Sequence, residues 1–307
     1  MTSLPREALY LPFEVGPHRM VMGLVARPPD ELIELDERYL EEMAERRALL
    51  ASRHGDVFAA RPGSEGARRE ALNRIAALLP ARFPLWFKRC GPLLRNLLTE
   101  EAWDLAQPPC DPLELAGRLV QEDLCLIETR DAGPVLQAAV LCAPSRWRLH
   151  EKIGRPLADI HERVPLYADH LSAPVDRLMR HLKTGKLAER LNWSVTDDPA
   201  LFQVEGKHRT EPDPSITAGN AAERLFLRVE RQTLSRLPES GYVLFTIRVH
   251  SYPLPRVVAQ PGAADRLAAA VRALPTAMAA YKSLPSFRLA LQGYLAEVAG
   301  SVRPETP

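Results

Sequence analysis

The amino-acid sequence predicts an α+β protein with an antiparallel sheet flanked by helices. Two observations carry this prediction. Apolar residues recur with the period of a helix in the first third of the chain and again near its end. In the middle, short apolar runs surround turn residues, and one run alternates between apolar and polar positions, as half-buried antiparallel strands do.

Helical signals dominate the first third. An amphipathic pattern covers residues 30–50, with Asp30 as its expected N-cap. A second pattern covers residues 65–79, and we expect Pro80 to end that helix. A third helix is expected to begin at Asp111, because proline follows in the first helical position.

The middle of the chain has the pattern of a sheet. A hairpin is predicted from the apolar runs at residues 124–127 and 135–142, which flank a turn at 131–134. A helix is expected over residues 173–185, ended by Gly185. Three later strands and the C-terminal helices are predicted at residues 192–195, 225–229, 242–249 and within 264–298.

Composition excludes several classes of function. The 307 residues are 46% hydrophobic, which allows a substantial core. Forty basic and 39 acidic side chains leave a net charge of +1, so no global field attracts nucleic acid or an acidic membrane. Four cysteines form no Cys-x-x-Cys pair, and no signal-peptide core or membrane-spanning run is found, so we expect a reduced, cytoplasmic protein.

Motif searches narrow the chemistry further. The sixteen glycines form no dinucleotide-binding, phosphate-loop or nucleophile-elbow motif. The segment from His161 to Pro165 begins like a zincin helix, but proline stands where the second histidine is required. His170 lies nine residues from His161, so a two-histidine metal site needs a bent chain.

His161 remains the best single candidate ligand. It lies between Ile160 and Val164, in a short segment that prolines bound on both sides. A histidine beside aliphatic residues is most often structural, but a basic stretch just upstream favours haem, whose iron takes histidine and whose propionates take arginine. The four cations of that stretch are Arg146, Arg148, Lys152 and Arg155. An ordinary solvated basic loop is the alternative.

A second cluster of charges lies in residues 228–238, where three arginines surround one glutamate. If the preceding strand continues to Glu230, Arg228 and Glu230 point to one face while Val229 packs on the other. The cluster then forms either the polar face of a pocket or a structural network at a sheet edge. The sequence leaves both readings open.

Taken in order, the motifs resemble a known family. They are Pro144-Ser145-Arg146-Trp147, Glu151-Lys152-Ile153-Gly154-Arg155-Pro156-Leu157, Ile160-His161, Val164-Pro165, Asn192-Trp193, Glu230-Arg231-Gln232-Thr233-Leu234 and Arg236-Leu237-Pro238. Together they resemble the haem-dependent oxidative N-demethylase α-subunit family. The resemblance covers most of the chain.

The resemblance implies a haem-binding fold of the PAS type and the oxidation of dimethylamine by oxygen at haem b. It also implies electrons from NADPH, relayed by partner reductase subunits that carry FMN and an iron–sulfur cluster, because this chain has no motif for those carriers. His161 is put forward as the axial iron ligand, with His170 in reserve. A haem-based gas or redox sensor and a haem-free binding protein are the alternatives to the enzyme.

Further site residues follow from the same resemblance. Arg146, Trp147 and Lys152 are expected at the haem rim. Glu230, Arg231 and Thr233 are expected as catalytic residues on the side where oxygen and the amine meet. A carboxylate suits a cationic amine, and an arginine or hydroxyl stabilises the charge that bound oxygen gains.

The expected organisation has three parts. Residues 1–110 form a mainly helical N-terminal extension, residues 111–255 a PAS-like haem-binding core, and residues 256–307 a set of C-terminal helices that pack on the core.

Overall fold

The computed structural model describes residues 4–206 and 208–301. Its strands are β1 Val25–Arg27, β2 Phe58–Ala60, β3 Phe87–Cys90, β4 Leu93–Asn96, β5 Ala102–Asp104, β6 Asp123–Arg130, β7 Gly133–Val140, β8 Leu187–Thr196, β9 Phe226–Arg236 and β10 Val243–Pro253. Seven strands form one antiparallel sheet in the order β1-β8-β9-β10-β6-β7-β2, and β3-β4-β5 form a small second sheet.

Helices flank the large sheet. They are α1 Tyr39–Ser52, α2 His54–Val57, α3 Glu65–Arg82, α4 Pro112–Gly117, α5 Leu157–Ile160, α6 Tyr167–His170, α7 Ser172–His181, α8 Ala221–Arg224, α9 Leu254–Val258, α10 Ala263–Ala273, α11 Thr276–Tyr281 and α12 Arg288–Ser301. Single 3-10 turns occur at Pro29–Leu32, Leu149–Glu151, Ala218–Asn220 and Leu284–Ser286. The predicted α+β class is confirmed, whereas the PAS-like comparison and the three-part division remain predictions.

Sequence patterns that depend on residues close together in the chain predicted the local structure correctly. Asp111 caps α4, because its Oδ1 accepts a hydrogen bond from the Leu113 amide at 2.9 Å, and Pro112 occupies the first helical position. The predicted hairpin is β6 and β7. Strand β9 continues past Glu230, so the expected alternation of Arg228 and Glu230 against Val229 is present.

Three helix boundaries were wrong. The first helix begins at Tyr39 and not at Asp30, because the intervening residues bury Ile33 and Leu35 in an irregular segment. Helix α3 continues two residues past Pro80, since a proline in the last turn removes only its own amide hydrogen bond. Helix α7 ends at His181, four residues before Gly185.

The two faces of the large sheet have different partners. Leu126 on the rear face packs into a core with α1 and α3, and Val229 into a second core with α10 and α12. The front face carries Cys125, Ile127 and Leu234, which pack with side chains from residues 149–182. Within the described part of the chain, no helix is long and apolar enough to cross a membrane.

Candidate functional site

A cavity of about 1100 Å³ includes the space between the front face of the sheet and the segment that contains α5, α6 and α7, and it extends past the edge of the sheet to residues 12–25 and to helices α10 and α11. Its total volume slightly exceeds the usual range of about 300–1,000 Å³ for sites that bind small molecules and cofactors. Side chains of a strand alternate between the two faces of a sheet, and those that point to the front face form the floor of the cavity. The apolar floor consists of Cys125, Ile127, Leu136, Leu141, Leu234, Phe245 and Ile247.

The opposite wall comes from the three short helices. Proline residues limit their length, and Leu166 adopts a left-handed backbone conformation at φ 65° that turns the chain into α6. The apolar side chains of this wall are Leu157, Ile160, Val164, Tyr167, Leu171, Val175, Leu178 and Met179. The two walls form an apolar slot.

His161 lines this slot at the C-terminal end of α5. Its Nδ1 lies 2.8 Å from the carbonyl oxygen of Leu157. A carbonyl can only accept, so Nδ1 carries the proton, and in the neutral imidazole Nε2 carries the lone pair that a metal ion would use. The half-buried His161 ring therefore has its tautomer and its orientation fixed by the backbone of its own helix.

Tyr167 stacks on the His161 ring, with 4.6 Å between ring centroids and 13° between ring planes. Burial raises the pKa of Tyr167 to about 12, and the nearby Asp176 acts in the same direction, so the phenol stays protonated at neutral pH. Sequence reasoning missed this residue. Its position six residues after the histidine gives no helical or strand spacing that would have indicated contact.

The polar end of the cavity is organised around Glu230 on β9. Its carboxylate accepts hydrogen bonds from the Ser145 hydroxyl, from Asn192 Nδ2 at 3.2 Å and from Gln232 Nε2 at 2.7 Å. Burial alone would raise its pKa, but these donors and Arg228 outweigh that effect and hold it below its usual value. Glu230 is therefore a carboxylate at neutral pH.

Arg228 lines the same end of the cavity, but its guanidinium is already hydrogen-bonded to backbone carbonyl oxygens. Its guanidinium donates to the carbonyl oxygens of Ala143, Ala200 and Leu201 at 2.8 to 3.0 Å, and to the Ser145 hydroxyl. It is 2% exposed, and burial lowers its pKa to about 10. Arg228 fixes the loops that surround Glu230.

All three expected haem-rim residues line the cavity, namely Arg146, Trp147 and Lys152. Arg146 is paired with Asp197 at 2.8 Å, so its charge is already balanced. The Lys152 ammonium lies 4.6 Å from the centre of the Trp147 ring. Arg148 and Arg155 do not line the cavity and point towards exposed surroundings.

Two expected catalytic residues lie on the rear face of β9 and do not line the cavity. Arg231 pairs with Glu189 at 2.6 Å and with Glu34 at 3.2 Å. Thr233 Oγ1 lies 2.7 Å from Thr246 Oγ1 on β10. Strand alternation explains both positions, because odd-numbered residues of β9 face away from Glu230.

The positions of His170 and the four cysteines limit the set of candidate iron ligands. His170 is exposed on α6 and does not line the cavity. Of the four cysteines, Cys125 alone lines it, and burial raises the pKa of this thiol above its usual value, which disfavours the thiolate that iron would bind. Arg190 and Lys282 are cavity residues that sequence reasoning missed.

The residues of the cavity fit haem, the cofactor that the motifs imply. A porphyrin needs an apolar slot, an imidazole whose ring is held in one orientation, and polar or cationic groups for its propionates. The slot, the backbone-fixed tautomer of His161 and the cations Arg146, Lys152 and Arg190 supply these three requirements.

Comparison with known families agrees with this chemistry. A family model described as haem-dependent oxidative N-demethylase, alpha subunit-like, matches residues 23–292. The matched stretch contains the whole floor, the whole helical wall and the polar end of the cavity.

Proposed function

The chain belongs to the family of haem-dependent oxidative N-demethylase α-subunit-like proteins, and from this premise we propose that it binds haem b through His161 and oxidises a small secondary amine such as dimethylamine. The supporting observation is that one apolar cavity contains both a histidine with its proton fixed on Nδ1 and an ionised carboxylate, Glu230. The histidine suits iron, and the carboxylate suits a methylated ammonium ion.

The proposed reaction converts dimethylamine, oxygen, two electrons and two protons into methylamine, formaldehyde and water. Haem, when bound, supplies the activation of oxygen and the oxidation of the methyl group. The two electrons are proposed to come from NADPH through partner subunits with FMN and an iron–sulfur cluster. The family description as an α subunit supports the existence of such partners.

The side chains of this protein supply binding and orientation. The Leu157 carbonyl and the Tyr167 ring hold His161 in one orientation. The Glu230 carboxylate accepts a hydrogen bond from the N–H of the secondary ammonium, and its own donors keep it ionised. The apolar walls limit the access of water, which strengthens this charge interaction.

Of the three residues expected to be catalytic, we retain Glu230, because it lines the cavity. Arg231 and Thr233 lie across the sheet from the cavity, so we propose for them only an effect on the position of β9. Arg146, Trp147 and Lys152 are retained as proposed neighbours of the haem edge, because all three line the cavity.

The first test is a titration of the purified chain with haemin, followed by its absorption spectrum. We expect a Soret band that His161→Ala shifts or removes and that added imidazole restores. His170→Ala is the matched control, because this histidine is exposed and outside the cavity. An identical Soret band in the His161→Ala protein would overturn the ligand assignment.

The second test separates the enzyme from a haem-based sensor. Haem-loaded protein with a chemical reductant should consume oxygen and release formaldehyde when dimethylamine is added. Stable oxygen binding without amine-dependent formaldehyde would favour the sensor. Absence of haem binding by the wild-type chain would favour the haem-free binding protein.

A further inference from the structure

Arg190 carries a charge into the cavity, and no carboxylate of the described residues forms an ion pair with it. It lies on the front face of β8, directly opposite Gln232 and two residues from Asn192. Its Nε is buried and makes no hydrogen bond. Across residues 4–206 and 208–301, no carboxylate lies within 4.0 Å of its guanidinium.

The fully buried arginines of the described chain have partners, whereas the half-buried Arg190 does not. Arg231 and Arg248 each contact two carboxylates, and Arg46 contacts Asp123. Arg228 donates to several carbonyl oxygens. Arginine stays protonated in proteins, and a charge held largely out of water without a partner destabilises the fold. A protein keeps such a residue at this cost where a ligand supplies the missing charge.

Two titratable groups near Arg190 show where in the cavity it lies. Burial lowers the pKa of Arg190, while Glu230 and Tyr167 act in the opposite direction, so Arg190 is close to both. Tyr167 stacks on His161, and Glu230 lies opposite Asn192 across the strand pair. Arg190 therefore lies between the histidine end of the cavity and its carboxylate end.

We propose that Arg190 is the carboxylate-binding residue of this cavity. The proposal rests on the proposed function and adds the chemical class of the anion. Two sources share that chemistry: a haem propionate, and the carboxylate of an N-methyl amino acid whose ammonium meets Glu230. A guanidinium binds a carboxylate through two parallel hydrogen bonds, and both partners gain from the low polarity of the surroundings.

The other cavity cations are less suited to this role. Arg146 already pairs with Asp197, which also pairs with Arg209. Lys152 lies against the face of Trp147. Lys282 donates to the Trp193 carbonyl oxygen. Among these described cations, Arg190 alone combines a buried Nε with a guanidinium that makes no hydrogen bond.

The first arm of the test measures porphyrin binding by the full chain. Protoporphyrin IX and its dimethyl ester differ only in that the two propionate carboxylates are replaced by uncharged methyl esters, and neither contains iron, so the His161 assignment does not enter. Wild-type protein should prefer the free acid by tenfold or more. Arg190→Gln should abolish most of this preference, and Arg190→Lys should retain part of it.

The second arm measures amino-acid binding by calorimetry. N-methylglycine and dimethylamine both carry a secondary ammonium, and only the former carries a carboxylate. A loss of at least tenfold in N-methylglycine affinity in Arg190→Gln, with dimethylamine unaffected, would identify a substrate carboxylate as the source. Arg177→Gln is the control, because Arg177 is exposed on α7 and outside the cavity.

A stability measurement separates a binding role from a structural one. Removal of an unpartnered buried charge should leave Arg190→Gln at least as stable to urea as the wild type, whereas a structural residue would lower the midpoint. The proposal is overturned if neither the acid-to-ester ratio nor the N-methylglycine-to-dimethylamine ratio changes in Arg190→Gln. Failure of the proposed function appears separately, as a Soret band indifferent to His161→Ala.

Discussion

Arg248 on β10 belongs to a set of buried ion pairs on the rear face of the sheet, behind the cavity, and provides a test of their contribution to stability. The side chain is 1% exposed, and its guanidinium lies 2.6 Å from Asp36 and 2.7 Å from Glu42. Arg248→Met preserves much of the apolar stem but removes the charge. Asp36 then loses its cation, and Glu42 keeps only its pair with Arg38 at 3.0 Å.

The expected loss follows from these contacts. Removal of one partner of a buried pair costs about 3–5 kcal/mol, because the remaining charge is left without compensation. Gln121 Nε2 continues to donate to Asp36 at 3.1 Å and to Glu42 at 2.7 Å. We therefore expect the lower end of this range, about 3 kcal/mol, at pH 7.5.

The loss should depend on pH. Burial would raise the pKa of Asp36, but Arg248 and Gln121 outweigh burial and hold it below its usual value. A carboxyl with a depressed folded pKa stabilises the protein above its unfolded pKa, and this contribution disappears as pH falls through the folded pKa. Without Arg248 the Asp36 carboxyl is protonated more readily, so the difference in stability between variant and wild type should shrink towards pH 4.5.

Urea denaturation followed by tryptophan fluorescence at pH 7.5 and 4.5 measures both effects, since the chain has four tryptophans. Arg53→Met is the matched control: its pair with Asp56 is formed at 2.8 Å, but the two side chains are 43% and 36% exposed. Such a pair contributes less than about 1 kcal/mol. Equal losses in the two variants, or a pH-independent loss in Arg248→Met, would refute the reasoning.

Three further predictions follow from single positions. A Cβ at Gly117 would lie 2.5 Å from a methyl group of Val140, so Gly117→Ala should destabilise the protein by about 1–3 kcal/mol in urea, and Val140→Ala in the same chain should restore part of this loss. Gly66→Ala, which meets no atom within 4 Å, should change stability by at most about 1 kcal/mol. Burial raises the pKa of Glu122 to about 7, so the folded state loses stability as pH rises from about 4.5 to 7; Glu122→Gln should match the wild type at pH 5 and exceed it at pH 8 in thermal denaturation. Glu230→Gln should weaken dimethylamine binding in calorimetry at least tenfold while the Soret band of the haem-loaded protein stays unchanged; equal amine affinity would count against its role.

The sequence predicted those parts of the fold that depend on local chemistry. The Asp111 cap, the hairpin turn and the alternation along β9 each involve residues within a few positions of one another. The start of the first helix was missed because contacts with distant residues decide it: Asp36 reaches Gln121 and Arg248. A helical pattern of apolar residues contains no information on such partners.

The site was predictable to the same extent. The pattern around His161 indicated a rigid, partly apolar setting, and the structure places that histidine in the cavity. Arg231 and Thr233 were grouped with Glu230 because they are close in sequence, although their odd numbers put them on the other face. Arg190 gave no signal in the sequence, since only the folded chain shows that its buried Nε has no hydrogen-bond partner among the described residues.

The register of β9 determines both which residues form the buried ion pairs on the rear face of the sheet and which residues line the cavity on the front face. A slip of β9 by one residue would exchange Glu230 with Arg231 between the two faces. Such a slip would bury Arg231 in the apolar slot and leave Glu189, which is 2% exposed, with Arg27 alone as its cation. Buried ion pairs add little net stability, but each alternative register that breaks them costs several kcal/mol. Arg231 therefore contributes to the proposed chemistry by making one register of β9 much more stable than its neighbours, which keeps Glu230 inside the cavity.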